Sequence, residues 1–263
     1  MQKENQNSSS FFLRKVDKKQ IPVCKILGVN IAAINMTWLT NYIEKNINAL
    51  SGDYITVANV HTTVTAFENP DYLKIQNGGA MAIPDGGPLS SLGRKKGYKK
   101  MERTTGPSLM EEIFKVSVEK GYRHFFYGST KSTLEKLEKN LLIKYPGLKI
   151  TGLYSPPFTE MNDSDNNRTI DMINETKSDF VWVGLGAPKQ EIWMARNQGR
   201  IQGLMIGVGA GFDFLAGNIK RAPKWMQKLN LEWLFRLVQN PKLFHRYFHT
   251  NNKFIWEAVI KRK

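Results

Sequence analysis

Phe180-Val181-Trp182-Val183-Gly184-Leu185-Gly186-Ala187-Pro188-Lys189-Gln190-Glu191 decides the fold. Its first four residues are β-branched or aromatic and apolar without alternation, as in a strand covered on both faces. A glycine-rich loop follows, and helical spacing resumes from Gln190 to Asn197. The stretch reads as strand, loop and helix, the repeating unit of an α/β protein.

The same unit recurs on both sides. Leu204 to Val208 reads as a strand running into Gly209-Ala210-Gly211. Tyr54 to Val60 reads as a strand leading to a helix over Thr62 to Gln76. Ala80 to Ile83 is a short strand that ends in a turn, Pro84-Asp85-Gly86-Gly87-Pro88. His124 to Tyr127 is a strand closed by Gly128-Ser129, with a helix from Thr130 to Tyr145. Leu148 to Tyr154 is a strand, Asp163 to Asn167 a polar loop, and Ile170, Met172 and Ile173 lie on a helix. Nearer the start, Ile21 to Ile34 holds β-like segments turned at Gly28. Trp38, Leu39, Tyr42, Ile43 and Ile47 repeat at helical spacing behind Asn35 or Thr37 as cap. A further helix is expected over Pro107 to Lys120. Strands separated by helices predict an α/β, mostly parallel sheet flanked by helices. In such sheets ligands bind at the carboxyl ends of the strands.

The chain has 263 residues and a formal net charge of +15. That length can bury a real core. One cysteine, Cys24, excludes an internal disulfide framework and a cysteine-based zinc site. No run of 18 apolar residues occurs, and residues 1 to 20 read as a mobile polar leader without a signal-peptide core. The expectation is a cytoplasmic protein attracted to an anion. Much of the charge is local. Between Lys220 and Lys263 stand eleven Lys/Arg and two acids, with Trp225, Trp233, Trp256, Phe235, Phe244, Phe248 and Phe254. Basic residues mixed with large aromatics suit an anionic membrane surface. A second basic run, Arg94 to Arg103, reads equally as a solvated face.

The strand ends supply the candidate site. Asn59, His61 and Thr62 follow one strand, and Asp85 and Gly86 another. Gly184, Gly186, Lys189 and Gln190 follow a third, and Gly209 a fourth. Glycine loops before helix N-termini favour phosphate or diphosphate, although neither loop is a dinucleotide fingerprint or a P-loop. Asp85 is either a turn residue binding backbone amides or a general base. Asp213 shares that ambiguity. His61 reads as a base, a phosphate contact or a core histidine. His245 and His249 have ligand spacing without a third ligand. Asp163-Ser164-Asp165 is taken as loop composition.

At these residues the chain resembles the WecG/TagA/CpsF glycosyltransferases, glycosyltransferase family 26. The matching pieces include Asn69-Pro70-Asp71-Tyr72, Pro84-Asp85-Gly86-Gly87-Pro88 and Gly184-Leu185-Gly186-Ala187-Pro188-Lys189-Gln190-Glu191. They continue through Gly207-Val208-Gly209-Ala210-Gly211-Phe212-Asp213, Arg221-Ala222-Pro223 and Leu231-Glu232-Trp233-Leu234-Phe235-Arg236-Leu237. The resemblance implies a Rossmann-like catalytic domain over 21–217 and a helical, basic, membrane-associating appendage over 218–263. It implies inverting transfer of a sugar from a UDP-sugar to a polyprenyl-diphosphate-linked sugar, in capsule, exopolysaccharide or teichoic acid synthesis. No metal or other cofactor is implied. By position Asp85 resembles the general base, Gln190 and Asn59 pocket residues, and Arg236 and Arg246 arginines that hold a diphosphate. Arg221 joins the substrate contacts. The chain departs from TagA-like members at Val57-Ala58-Asn59, where they carry Thr-x-Asn, and at Leu243, where they carry arginine. Its Asn-Val-His-Thr-Thr run looks closer to the CpsF-like branch.

Two other classes compete. A Rossmann dehydrogenase lacks its acidic ribose contact here. A basic nucleic-acid binder is suggested by the charge, but no recognised motif accompanies it. The donor sugar and a homo-oligomeric state stay open.

Overall fold

A computed structural model describes residues 20–157, 162–229, 231–241 and 244–261. The leader, except Gln20, lies outside the described residues. The chain opens with β1 (Val23–Ile26) and β2 (Val29–Ala32), an antiparallel hairpin. Its turn residues Leu27 and Gly28 both have positive φ, +48° and +87°, the twist that a two-residue hairpin needs.

Helix α1 (Met36–Leu50) follows, and Asn35, not Thr37, is its cap: Oδ1 accepts from the Trp38 amide at 2.9 Å. Then come β3 (Tyr54–Ala58), α2 (Val60–Glu68), α3 (Pro70–Gly78) and β4 (Met81–Pro84). The single helix expected over Thr62 to Gln76 is thus two. Asn69 caps α3 through the Asp71 and Tyr72 amides, and Pro70 at its first position cannot continue α2. The strand expected to reach Val60 stops at Ala58, because Asn59 begins a capping box. The proline–glycine turn is equally short-lived. Helix α4 (Gly87–Lys95) starts inside it and ends on Arg94 and Lys95, the first two residues of the basic run.

The remainder alternates: α5 (Gly106–Lys120), β5 (Arg123–Gly128), α6 (Lys131–Lys144), β6 (Lys149–Tyr154), α7 (Asp163–Glu175), β7 (Phe180–Gly184), α8 (Lys189–Arg196), β8 (Leu204–Gly207) and α9 (Gly211–Leu215). The polar loop expected over Asp163 to Asn167 is the first turn of α7. Asn162 accepts from the Asp165 amide there, and Asp163 and Asp165 suit the positive helix end.

The eight strands form one sheet in the order β1-β2-β4-β3-β8-β7-β5-β6, parallel except for β1. Strands β3, β4 and β8 are buried at every position, as a sheet covered on both faces requires. One face packs Leu39, Ile43, Leu109, Phe114, Leu134 and Leu137. The other packs Val64 and Tyr72, with Ile170 and Trp193 further along. The order reverses at β3, which has β4 on one side and β8 on the other, so a crevice opens above their carboxyl ends.

Beyond Gly217 the chain is helical: α10 (Lys224–Lys228), α11 (Glu232–Gln239), α12 (Phe244–Phe254) and a terminal π-helical turn (Ile255–Ile260). This appendage returns to α2. Lys253 Nζ lies 2.6 Å from Glu68 Oε1, and Phe254 and Ala258 enter the core cluster of β1 and β2. No helix among the described residues is long and apolar enough to cross a membrane.

Candidate active site

The crevice is a cavity of about 660 Å³, with the strand ends as floor and the appendage as roof. Of the residues read from the sequence, Asn59, His61, Thr62, Asp85, Gly86, Gly186, Gln190, Gly209, Arg221 and Arg236 line it. Gly184 and Lys189 do not. A Cβ on Gly184 would stand 2.6 Å from the Phe212 ring, so that glycine serves packing between strand and helix. Lys189 is exposed at the start of α8. Arg246 is on α12, and its side chain lies outside the described residues, as do Lys242 and Leu243. Asp213 receives a hydrogen bond from Asn218 Nδ2 at 3.2 Å and caps its own loop.

Asp85 stands just past β4, its amide donating to Ala58 O at 2.8 Å. Its side chain is a quarter exposed, toward the cavity. Oδ1 accepts no hydrogen bond among the described residues, which disposes of the amide-binding turn role for that oxygen. Burial raises its pKa and the nearby carboxylate of Glu232 adds to this; Arg103, Arg236 and Arg221 oppose it.

Arg103 was read only as part of a charged run. Thr104 N donates to Pro84 O at 2.7 Å, which lays this segment beside the end of β4. The Arg103 Nε donates to Asp85 O at 2.6 Å, and Nη2 reaches Asp85 Oδ1 at 3.6 Å and Glu232 Oε2 at 2.5 Å. One guanidinium thus ties the carboxylate on the floor to the first turn of α11 in the roof. Sequence reading missed Arg103 and Glu232 because their value lies in a contact across 129 positions. The only available signal was a charged residue inside an otherwise apolar motif, Leu231-Glu232-Trp233.

Asn59 and Thr62 line the floor while capping α2. Asn59 Oδ1 accepts from the Thr62 amide at 3.1 Å, and Thr62 Oγ1 accepts from the Asn59 amide at 2.9 Å. Gln190 is buried, and its Oε1 accepts from Gly186 N at 3.2 Å and Gly209 N at 2.9 Å. It joins the two glycine loops, and these two amides are engaged with it. Gly186 needs its glycine for a φ of +79°. Behind Gln190 its Nε2 donates to buried Glu191 at 2.7 Å, whose other oxygen accepts from Tyr72 Oη at 3.1 Å. Burial raises the Glu191 pKa.

Among the described residues, four cations, Lys95, Arg103, Arg221 and Arg236, face the cavity with two carboxylates, Asp85 and Glu232. Arg221 is held by Ser108, Gln227 and Glu111. The Arg236 guanidinium lies 5.7 Å from the Phe214 ring centre, with no ion pair among the described residues. Planar guanidinium forks around a partly enclosed cavity suit phosphoryl oxygens. No group of three or more His, Cys, Asp or Glu residues among those described is placed to hold a metal. His249 lies 3.8 Å from Glu68.

A mostly parallel α/β sheet with a partly exposed carboxylate among cations at its switch point suits a group-transfer enzyme. The chain belongs to the Glycosyl transferase WecG/TagA/CpsF family, whose sequence model matches residues 24–263. It is 31% identical over 209 residues to an N-acetylglucosaminyldiphosphoundecaprenol N-acetyl-beta-D-mannosaminyltransferase of Bacillus subtilis, covering 79% of this chain and 80% of that one. A protein of the same name from Staphylococcus aureus is 26% identical over 227 residues, covering 84% and 86%. The chain is therefore a hexosyltransferase, and the dehydrogenase reading falls away.

Proposed function

We propose that this enzyme moves an N-acetylhexosamine, N-acetylmannosamine first among them, from a UDP-sugar to a polyprenyl-diphosphate-linked sugar with inversion. The observation that carries the reading is the Asp85 carboxylate, a quarter exposed on the cavity, whose Oδ1 accepts no hydrogen bond among the described residues and faces Arg103 at 3.6 Å. In this scheme Asp85 takes the proton of the acceptor hydroxyl as its oxygen attacks the anomeric carbon. The bond from that carbon to UDP breaks on the opposite face, and the departing diphosphate is stabilised by arginine. Arg236, set over the Phe214 ring and without an ion pair among the described residues, is assigned to a diphosphate. The names of the relatives support the acceptor and the donor sugar. A panel of UDP-sugars with a short-chain polyprenyl-diphosphate acceptor tests it through UDP release. UDP-N-acetylmannosamine is expected to lead, and no acceptor-dependent release from any donor sinks the reading.

No resident metal enters this scheme, since fixed cations carry the charge. EDTA is expected to leave turnover unchanged, and a loss restored by a divalent ion would show that the arginines do not suffice.

The appendage is assigned to the inner face of the cytoplasmic membrane. Trp225, Val238 and Phe248 are 59%, 75% and 63% exposed on a basic segment, a combination that suits lipid headgroups. Replacing all three by serine is expected to abolish co-sedimentation with anionic vesicles without loss of fold. Undiminished co-sedimentation would remove the membrane role from this surface.

A further inference from the structure

One helical stripe of the roof changes character along its length. Tyr247, Asn251, Ile255 and Val259 are spaced four apart from α12 into the terminal π-helical turn, and all four line the cavity. Twelve residues of helix extend roughly 18 Å, a wall long enough for more than one ligand group. Its first half is aromatic and polar, and its second half is purely aliphatic.

The wall opposite matches that second half. In the sheet, β4 lies on one side of β3, and β7 and β8 on the other. The glycine loops, Phe214 and Arg236 therefore gather at the β8 end of the cavity, and α4 stands at the β4 end. There Pro88 and Leu92 of α4 and Val60 of α2 line it, and Val60 and Leu92 pack against the cluster holding Phe254. Lys95, one turn beyond Leu92, also lines this end. Beside the stripe on the same turn, Trp256 and Ile260 are 53% and 57% exposed. The β4 end is thus an apolar slot beside fixed cations, opening onto an apolar outer surface. A nucleotide sugar has no apolar segment to place there.

We infer that this slot takes the first isoprene units of the lipid acceptor, entering between α4 and the terminal π-helical turn, with the adjoining diphosphate turned toward Arg103 and Lys95. The inference rests on the acceptor proposed above. An amphiphile with an anionic head and a branched hydrocarbon tail complements both the charge and the apolar wall, and its tail leads out along Trp256 and Ile260.

Direct binding tests it without turnover. Inorganic diphosphate, isopentenyl diphosphate and farnesyl diphosphate are titrated below their aggregation limits against the full chain. Wild type is expected to bind the fifteen-carbon compound at least ~10-fold more tightly than the five-carbon one, the scale of burying a few methylene groups. Ile255→Ser and Val259→Ser, both at partly exposed positions, are expected to erase that preference and to bind inorganic diphosphate as wild type does. Leu92→Ser on the facing wall is expected to do the same. Equal affinity for both chain lengths in wild type overturns the slot. So does a preference that survives in all three variants, or a parallel loss of inorganic diphosphate binding in all three. Because no transfer is measured, failure of the UDP-sugar panel would leave this result standing on its own.

Discussion

Asp85→Asn lowers turnover by at least ~100-fold, the scale of lost general-base catalysis, while UDP binding stays at the wild-type level. The amide matches the carboxylate in size but cannot take a proton. The fold should hold, because Oδ1 accepts no hydrogen bond among the described residues, and Arg103, 3.6 Å from it, keeps its bonds to Asp85 O and Glu232. Steady-state UDP release and UDP titration measure the two arms, and turnover near wild type removes Asp85 from the base role. The pH profile adds a sign. A base works deprotonated, so kcat/KM falls as pH drops through its pKa. Burial and Glu232 raise that pKa, and the acid limb is expected above the ordinary aspartate value of 3.8. Glu232→Gln removes a raising charge and should move the limb to lower pH. A limb that moves upward in this variant contradicts the electrostatic account.

Arg103→Ala is expected to cost about 3 kcal/mol of stability, the lower end for breaking a buried ion pair. The Arg103 and Glu232 side chains are 21% and 10% exposed, so water cannot replace the lost partner fully. The urea midpoint should fall with an unchanged slope, the mark of a stability change. Adding Glu232→Gln should recover part of the loss, because the stranded charge is then gone. An unchanged midpoint in Arg103→Ala would mean that the link between floor and roof carries no energy. In the same variant the acid limb should move to higher pH, since Arg103 lowers the Asp85 pKa.

These residues also mark what the sequence could and could not convey. Parallel strands were legible because fully buried strands are apolar throughout, as at Phe180 to Val183. The strand ends were legible because glycine and asparagine punctuate them. The errors came where one local signal outweighed another. Asn69-Pro70 carries both a cap and a helix-starting proline, yet apolar spacing ran through it and suggested one helix. Asn162 and the acids after it looked like loop composition, although the same residues favour a helix start. The site was half legible. Asp85 and Gln190 announced themselves by position, whereas Arg103 and Glu232 acquire meaning only when the roof meets the floor. Gly184 and Lys189 lie outside the cavity lining: a motif's membership does not fix which side chains face it.

The return of the appendage to the first hairpin has a consequence for how the enzyme comes into being. Phe254 shares a core cluster with Cys24, about 230 positions earlier. The part of the floor that carries Asp85 is the neighbouring pair β3 and β4, whose contacts close a short loop and form readily, although β3 also waits for β8 about 150 positions later. The roof depends on contacts that span nearly the whole described chain. During synthesis the Asp85 carboxylate, the proposed base, therefore emerges well before the segment that covers it. The covering segment is also the one assigned to the membrane, so arrival at the bilayer and completion of the cavity can be timed by the same final stretch of polypeptide.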